Sequence, residues 1–201
     1  MDDKRKKKQN DNESLAASFL TYVHDLIYML AVIMIVFVLM FRIVVVSGSS
    51  MYSTLWDGDW LLLVGNTFYR EPEFGDIIVA SKESHNDGEP IIKRVIATEG
   101  QTVDIDFEAG IVYVDGEALE EDYTYTLTTH REGMTFPLTV DEGCIFVMGD
   151  NRDGSKDSRH PDIGLIDVRQ VLGKAIFLIF PGKGEYDHSR DYDRIGVLYG
   201  R

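Results

Sequence analysis

From Tyr22 to Phe41 the chain is almost wholly apolar, and no other stretch limits what it can fold into so strongly. About twenty helical residues at about 1.5 Å each match a hydrocarbon core of about 30 Å. A helix also satisfies its own backbone in lipid, where an open strand does not. The run therefore reads as a membrane-spanning helix, with His24 and Asp25 near its inner end and within reach of the interface. Lys4-Arg5-Lys6-Lys7-Lys8 precedes it, whereas Arg42 is the only basic residue that follows before Arg70. The positive-inside rule then puts the N-terminus in the cytoplasm and the rest outside. A cleaved secretory signal is the competing reading. The run is longer than a signal core and no Ala-x-Ala pattern closes it, which favours an uncleaved anchor. The expected division is a basic tail at 1–21, disordered over 1–13, and a single-pass cell-membrane anchor at 22–42. The remainder folds outside the cell membrane.

That remainder is roughly 150 residues, enough to bury a core of its own. The chain carries a formal net charge of -14, concentrated after the apolar run. Phosphate binding needs a basic face, so no nucleic-acid partner is expected. Cys144 is the only cysteine and cannot form an internal disulfide. It lies in the apolar run Cys144–Met148, and no Cys/His cluster has zinc-site spacing. Neither a metal nor an organic cofactor is expected.

Beyond the anchor the pattern is that of strands. Asp59–Val64 follows a turn signal at Trp56-Asp57-Gly58-Asp59, and Phe74–Ala80 is entered through Gly75-Asp76. Ile91–Ala97 and Gly100–Ile105 come next, and Gly110–Gly116 ends in an Asp-Gly pair typical of a hairpin. Residues 118–141 are Thr/Glu-rich, are interrupted by Pro137, and read as irregular. Strand character returns at Cys144–Met148 and at Val171–Phe180. The β-branched and aromatic content of the last run, and its closing Pro181-Gly182, favour a strand over a buried helix. The fold class is mainly β: an antiparallel β domain over 43–105 and 142–201, with a small β insert at 106–141.

Three stretches could carry chemistry. Val46-Ser47-Gly48-Ser49-Ser50-Met51-Tyr52-Ser53-Thr54-Leu55 emerges only a few residues after the anchor and is rich in small residues. By itself it also reads as a linker. A serine is a weak nucleophile until a base takes its proton. His85, His130, His160 and His188 lie in polar stretches with no evident orienting carboxylate, and a Ser-His-Asp site stays open because its members need not be close in sequence. Lys93 is the stronger candidate base. It sits in an apolar strand beside Arg94, and burial with a neighbouring positive charge lowers a lysine pKa. Strand alternation turns Lys93 and Arg94 to opposite faces, so that one can enter a site while the other faces out or into an ion pair. The third stretch, Gly149-Asp150-Asn151-Arg152-Asp153-Gly154-Ser155-Lys156-Asp157-Ser158-Arg159, is a charged surface turn or a buried polar network. In the network reading Asp157 and Arg159 pair, and Ser155 is left to orient the lysine amine.

Together these blocks resemble the type I signal peptidases, membrane-anchored Ser/Lys endopeptidases, in a single-span Gram-positive-like form. The resemblance runs from the anchor to about Leu165. It rests on Gly48–Leu55, Phe74–Val79, Ile92–Val95 and Gly149–Arg159, in that order. It implies Ser50 as nucleophile, Lys93 as general base, Ser155 as the serine that orients the lysine, and Asp157 with Arg159 as a supporting ion pair. Removal of signal peptides from exported precursors after Ala-x-Ala-like sites is the implied activity, without cofactors. The implied partners are those precursors and the lipid bilayer, with a monomer expected. Matching the family's shallow substrate pockets gives Val44, Val46, Met51, Leu55, Ile91 and Ile92. Trp56 and Trp60 are candidates for lipid contact or for core packing.

Three positions depart from the pattern. Ser53 stands where the family usually has proline, so the turn after Ser50 is less pre-set. Gly154 stands where it usually has asparagine or a similar polar residue. Gly48 stands where some members place a serine hydroxyl as second oxyanion donor, which leaves the backbone N–H of Ser50 as the first donor and the second open. Self-cleaving Ser/Lys repressors fit poorly, being cytosolic with a DNA-binding segment. An inactive membrane-anchored homologue acting as an interaction scaffold is the remaining alternative. The joint presence of Ser50, Lys93 and Ser155 speaks against it.

Overall fold

A computed structural model describes residues 2–82, 88–184 and 189–198, with side chains from Ser18 onward. The chain divides into two compact units, 1–40 and 41–201.

The first unit is one helix, α1 (Asp2–Met40). Within it Ser18–Met40 is long and apolar enough to cross a membrane, and none of it is buried in protein. The helix continues back through the basic block, where composition favours a disordered tail. Lys, Arg, Gln and Glu cost little in a helix, so nothing between Asp2 and Ser18 breaks it.

The second unit is built from antiparallel strands. In chain order they are β1 (Phe41–Val45), β2 (Trp60–Gly65), β3 (Ile77–Ser81), β4 (Pro90–Thr98), β5 (Thr102–Asp106) and β6 (Ile111–Val114). There follow β7 (Glu117–Ala118), β8 (Leu138–Thr139), β9 (Cys144–Met148), β10 (Ile166–Asp167), β11 (Val171–Phe180) and β12 (Gly196–Val197). The larger sheet runs β1-β2-β11-β3-β4-β9-β10, with β12 added on β11, and the smaller runs β7-β6-β5-β8. Phe41 and Arg42, which extend the apolar run in sequence, are the first residues of β1 and pair with Val64 and Leu63. β-Branched Ile43, Val44 and Val45 suit a strand, and β2 offers them a partner that the helix does not.

Packing explains which strands alternate and which do not. In β2, Leu61 and Leu63 are buried while their neighbours are less so, giving one core face. β3 is buried on both faces: Ile77 and Val79 pack with Leu61, Leu63 and Ala175, whereas Ile78 and Ala80 pack with Val95, Val147 and Val171. β4 and β9 are likewise shared. Val95 and Val147 face that second cluster, while Ile96, Phe146 and Met148 meet Val103, Ile105 and Val112 of the smaller sheet. Such strands read as continuous apolar runs.

The smaller sheet includes β5 and so starts at Thr102, because β5 pairs with β6 and with β8. Asp115 and Gly116 make the hairpin turn between β6 and β7, both with positive φ (54° and 83°). A two-residue turn of that kind requires positive φ at both positions, which Asp-Gly tolerates. The stretch between β7 and β8 is irregular, as its composition suggests.

Candidate active site

The loop from Val46 to Asp59 is closed at its base by backbone bonds from Val46 N to Asp59 O (2.8 Å) and from Gly58 N to Val46 O (2.9 Å). Inside it, Tyr52 N donates to Ser49 O and Leu55 N to Met51 O, so the chain winds through one tight turn directly after Ser50. Met51 and Leu55 drop from that turn into the core. The turn is pinned from outside as well. Thr54 Oγ1 donates to Asp150 Oδ2 at 2.6 Å, and Trp56 Nε1 donates to Ser53 O at 3.2 Å. These bonds hold the conformation that a proline at Ser53 would otherwise pre-set. Arg194, from the C-terminal segment, stacks on Trp56 at 3.9 Å and donates to Asp59 and to Thr54 O.

Lys93 lies on β4, paired across to Ile78 of β3, and is only 4% exposed. Its Nζ donates to Ser50 Oγ at 2.8 Å and to Ile92 O at 2.9 Å. Burial pulls its ammonium down from the ordinary 10.5 to about 8. The carboxylates of Asp157, Asp150 and Glu132 oppose that fall, and Arg159 adds to it. The result is an amine partly neutral near physiological pH, in contact with a hydroxyl.

The 149–159 segment forms a buried polar network that supports this contact. Asp157 takes Arg159 Nε and Nη2 in a bidentate pair (2.8 Å each) and also accepts Gly149 N at 3.0 Å. Arg159 Nη2 reaches Arg152 O at 2.6 Å, and Arg152 Nε returns to Gly149 O at 3.1 Å. Asn151 grips the nucleophile loop: its N–H donates to Ser50 O at 3.0 Å and its Nδ2 to Ser49 O at 3.2 Å. Gly149 permits the close approach, because a Cβ there would meet Ser155 Oγ at 2.1 Å and Ser50 O at 2.4 Å. At Gly154 a Cβ would meet Asn151 Nδ2 at 2.4 Å. The departure at Gly154 thus makes room for the Asn151 side chain, which also accepts Gly154 N.

Ser155 behaves differently from its expected part. Its hydroxyl is buried and makes no hydrogen bond, so the contact to Lys93 is not formed. The lysine amine is held by Ser50 and Ile92 O instead.

Arg94, next to Lys93, turns into a pair that its neighbours in sequence do not announce. Its Nε and Nη2 bind Asp150 Oδ1 and Oδ2 at 2.8 and 2.7 Å, and its Nη1 donates to Gly75 O. Tyr123 covers the guanidinium at 4.0 Å. Alternation along β4 is the available signal: it separates Arg94 from Lys93 and leaves a buried cation in need of an acid.

A cleft of about 490 Å³ opens at Ser50 and Lys93. Val44, Val46, Met51, Ile91 and Ile92 line it, with Glu89 and Lys156 among its charged residues. Leu55 does not line it. It is fully buried among Met51, Leu61 and Ile77, because the turn after Ser50 directs it into the core. Trp60 is 46% exposed and Trp56 half-buried beneath Arg194. Gly48 N donates to Asp57 Oδ1 at 2.8 Å, so that N–H already has an acceptor.

Among the histidines, His130 does have a carboxylate, with Asp153 at 2.7 Å, and His160 Nδ1 accepts Asp162 N. Neither lines the cleft with Ser50. His85 and His188 lie outside the described residues. Among the described residues no group of His, Cys, Asp and Glu is arranged to hold a metal ion.

The family described as signal peptidase, peptidase S26, matches residues 19–180. A probable signal peptidase I of Synechocystis sp. is 36% identical over 148 residues, covering 68% of this chain and 69% of that protein. A signal peptidase I of Bacillus licheniformis is 32% identical over 172 residues, covering 82% and 90%. A crystal structure of a signal peptidase I from Enterococcus faecalis aligns at 32% identity with a TM-score of 0.43, over 52% of this chain and 96% of that one. By the match over residues 19–180, the chain belongs to the signal peptidase family, peptidase S26.

Proposed function

We propose that this type I signal peptidase cleaves exported precursors with Ser50 as nucleophile and Lys93 as general base. The observation that carries the reading is the 2.8 Å hydrogen bond between Lys93 Nζ and Ser50 Oγ in a cleft walled in part by Val44, Val46 and Ile92. Ser50 Oγ attacks the scissile carbonyl carbon while its proton passes to neutral Lys93. The tetrahedral oxyanion is met by the Ser50 N–H; Gly48 N–H is already donated to Asp57. Collapse breaks the C–N bond, with Lys93 returning the proton to the leaving amine. Lys93 then takes a proton from water, which attacks the ester and frees Ser50. With the amine at about 8, about one Lys93 in ten is neutral at pH 7. Asp157 and Arg159 support the loop that grips Ser49 and Ser50. Ser155 adds a buried hydroxyl beside Gly149.

Val44, Val46, Met51, Ile91 and Ile92 give the cleft walls suited to small side chains flanking the cut. The substrates are exported precursor proteins. We further propose a single-span membrane protein with its N-terminus cytoplasmic, on the charge asymmetry across 18–40, acting as a monomer. The test is to incubate the detergent-solubilised chain with a secretory precursor and map the new N-terminus by mass spectrometry. Cutting after a small-x-small sequence is expected. Cutting elsewhere, or none, defeats the assignment.

A further inference from the structure

The nucleophile loop has a second side. Val46, Ser47, Ser50 and Met51 line the cleft that also holds Lys93. Gly48, Ser49 and Tyr52, interleaved with them in sequence, line another cavity of about 400 Å³ together with Trp56, Asp57 and Lys183. The two cavities share no wall residue, so Ser50 stands at the divide between them.

The second cavity differs in chemistry from the first. Tyr52 and Trp56 present nearly parallel rings, tilted by 28° with centroids 6.4 Å apart. Each ring has a further neighbour that fixes it: Tyr125 meets Tyr52 edge-on at 4.7 Å, and Arg194 lies over Trp56 at 3.9 Å. Trp56 Nε1 already donates to Ser53 O, and Gly48 N to Asp57 Oδ1. What the walls offer a ligand is ring surface, bordered by an acid and a cation, Asp57 and Lys183.

The occupant follows from continuity with the Lys93 cleft. In the proposed reaction the residues before the cut lie in that cleft and the scissile carbonyl lies at Ser50. The chain after the cut then passes to the other side of the loop. An extended chain turns alternate side chains to one face, roughly 7 Å apart. A small-x-small site seats the first and third residues before the cut, so the second residue after it faces the protein as well.

We propose that the cavity walled by Tyr52, Trp56 and Lys183 is a subsite for the second residue after the cut, and that it favours an aromatic or bulky apolar side chain there. This rests on Ser50 being the nucleophile. Ring surface rewards such a side chain, and the opposed charges of Asp57 and Lys183 leave acids and bases without advantage.

The test is kcat/KM of the full-length enzyme in detergent for short peptides with one small-x-small site. The peptides differ only at the second residue after the cut, which is Phe, Ala, Lys or Glu. Phe is expected to exceed Ala by about fivefold in wild type. In Tyr52→Ala that ratio falls towards one, and Tyr52→Phe keeps it. Each ratio is taken within one enzyme, so slower turnover from a disturbed loop cancels. Lys183→Glu probes the opposite wall without touching the nucleophile turn, and it raises the Lys-to-Glu ratio about fivefold over wild type. A Phe-to-Ala ratio of one in wild type overturns the subsite. So does a ratio unchanged in folded Tyr52→Ala, or a Lys-to-Glu ratio unmoved by Lys183→Glu. An equal gain from Phe at the first or third residue after the cut overturns the register. Ser50→Ala keeps the two claims apart: turnover surviving in it removes the catalytic reading, whereas Ser50-dependent turnover with flat ratios removes only the subsite.

Discussion

Lys93 is asked to be a base inside protein, and that has a stability cost that can be measured. Below about pH 8 the amine is protonated both folded and unfolded, and the folded state carries the full penalty of burying that charge. Between about 8 and 10.5 the unfolded chain holds the proton and the folded chain does not, so stability rises with pH. The gap between those values corresponds to roughly 3 kcal/mol. Lys93→Met is therefore expected to be inactive and to melt higher than wild type at pH 7. That advantage should shrink as pH approaches 10.5, as thermal unfolding in detergent at several pH values will show. An equal or lower Tm for Lys93→Met at pH 7 would contradict the burial penalty. Lys93 is legible in the sequence because an apolar strand with an unexplained lysine is conspicuous. The approach of Glu132 to Arg159 at 4.0 Å is not legible, since the fold brings the two together from different segments.

The elements were legible where their patterns are long. Strands β3, β4 and β9 stand out as apolar runs because both of their faces are buried, whereas β2 and β11 stand out by leucine, β-branched and aromatic content over an alternating burial. β1 is hidden by continuity with the helix, and β7, β8, β10 and β12 are two-residue bridges too short to carry a period. Ser50, Met51, Ile92 and Lys93 from the sequence blocks line one cleft, whereas Ser155, Asp157 and Arg159 lie in the buried polar network and Leu55 is directed into the core by the turn after Ser50. What sequence could not convey is the fastening between elements. Arg94 on β4 and Asp150 just after β9 are 56 positions apart, yet their bidentate pair links both strands, and Asp150 also accepts Thr54 of the nucleophile turn. Asp150→Asn leaves Arg94 buried and unpaired, which costs on the order of 3–5 kcal/mol. Asp150→Leu combined with Arg94→Met should recover most of that, because no charge is left stranded. Activity should stay low in the double variant, since Thr54 has lost its acceptor. Thermal unfolding beside precursor turnover separates the two effects, and full activity in Asp150→Asn would show that the fastening is incidental to catalysis.

On the scale of the whole molecule, an apolar helix and a β unit share one chain, and the candidate nucleophile falls about ten residues beyond the helix end at Met40. Such a chain reaches at most roughly 35 Å when fully extended. A precursor's own apolar segment would bring its cleavage site to the same plane, and confinement of both would replace a search in three dimensions. The net charge of -14 gives no affinity for the apolar segment that must bind. Affinity has to come from the cleft and from the shared membrane. The most direct test of the account is turnover of a membrane-inserted secretory precursor by the full chain, by Ser50→Ala and by Lys93→Ala, with Tm measured for each. The account predicts cleavage by wild type and background turnover by both variants, each still folded and membrane-bound. Turnover near the wild-type rate in either folded variant would contradict it.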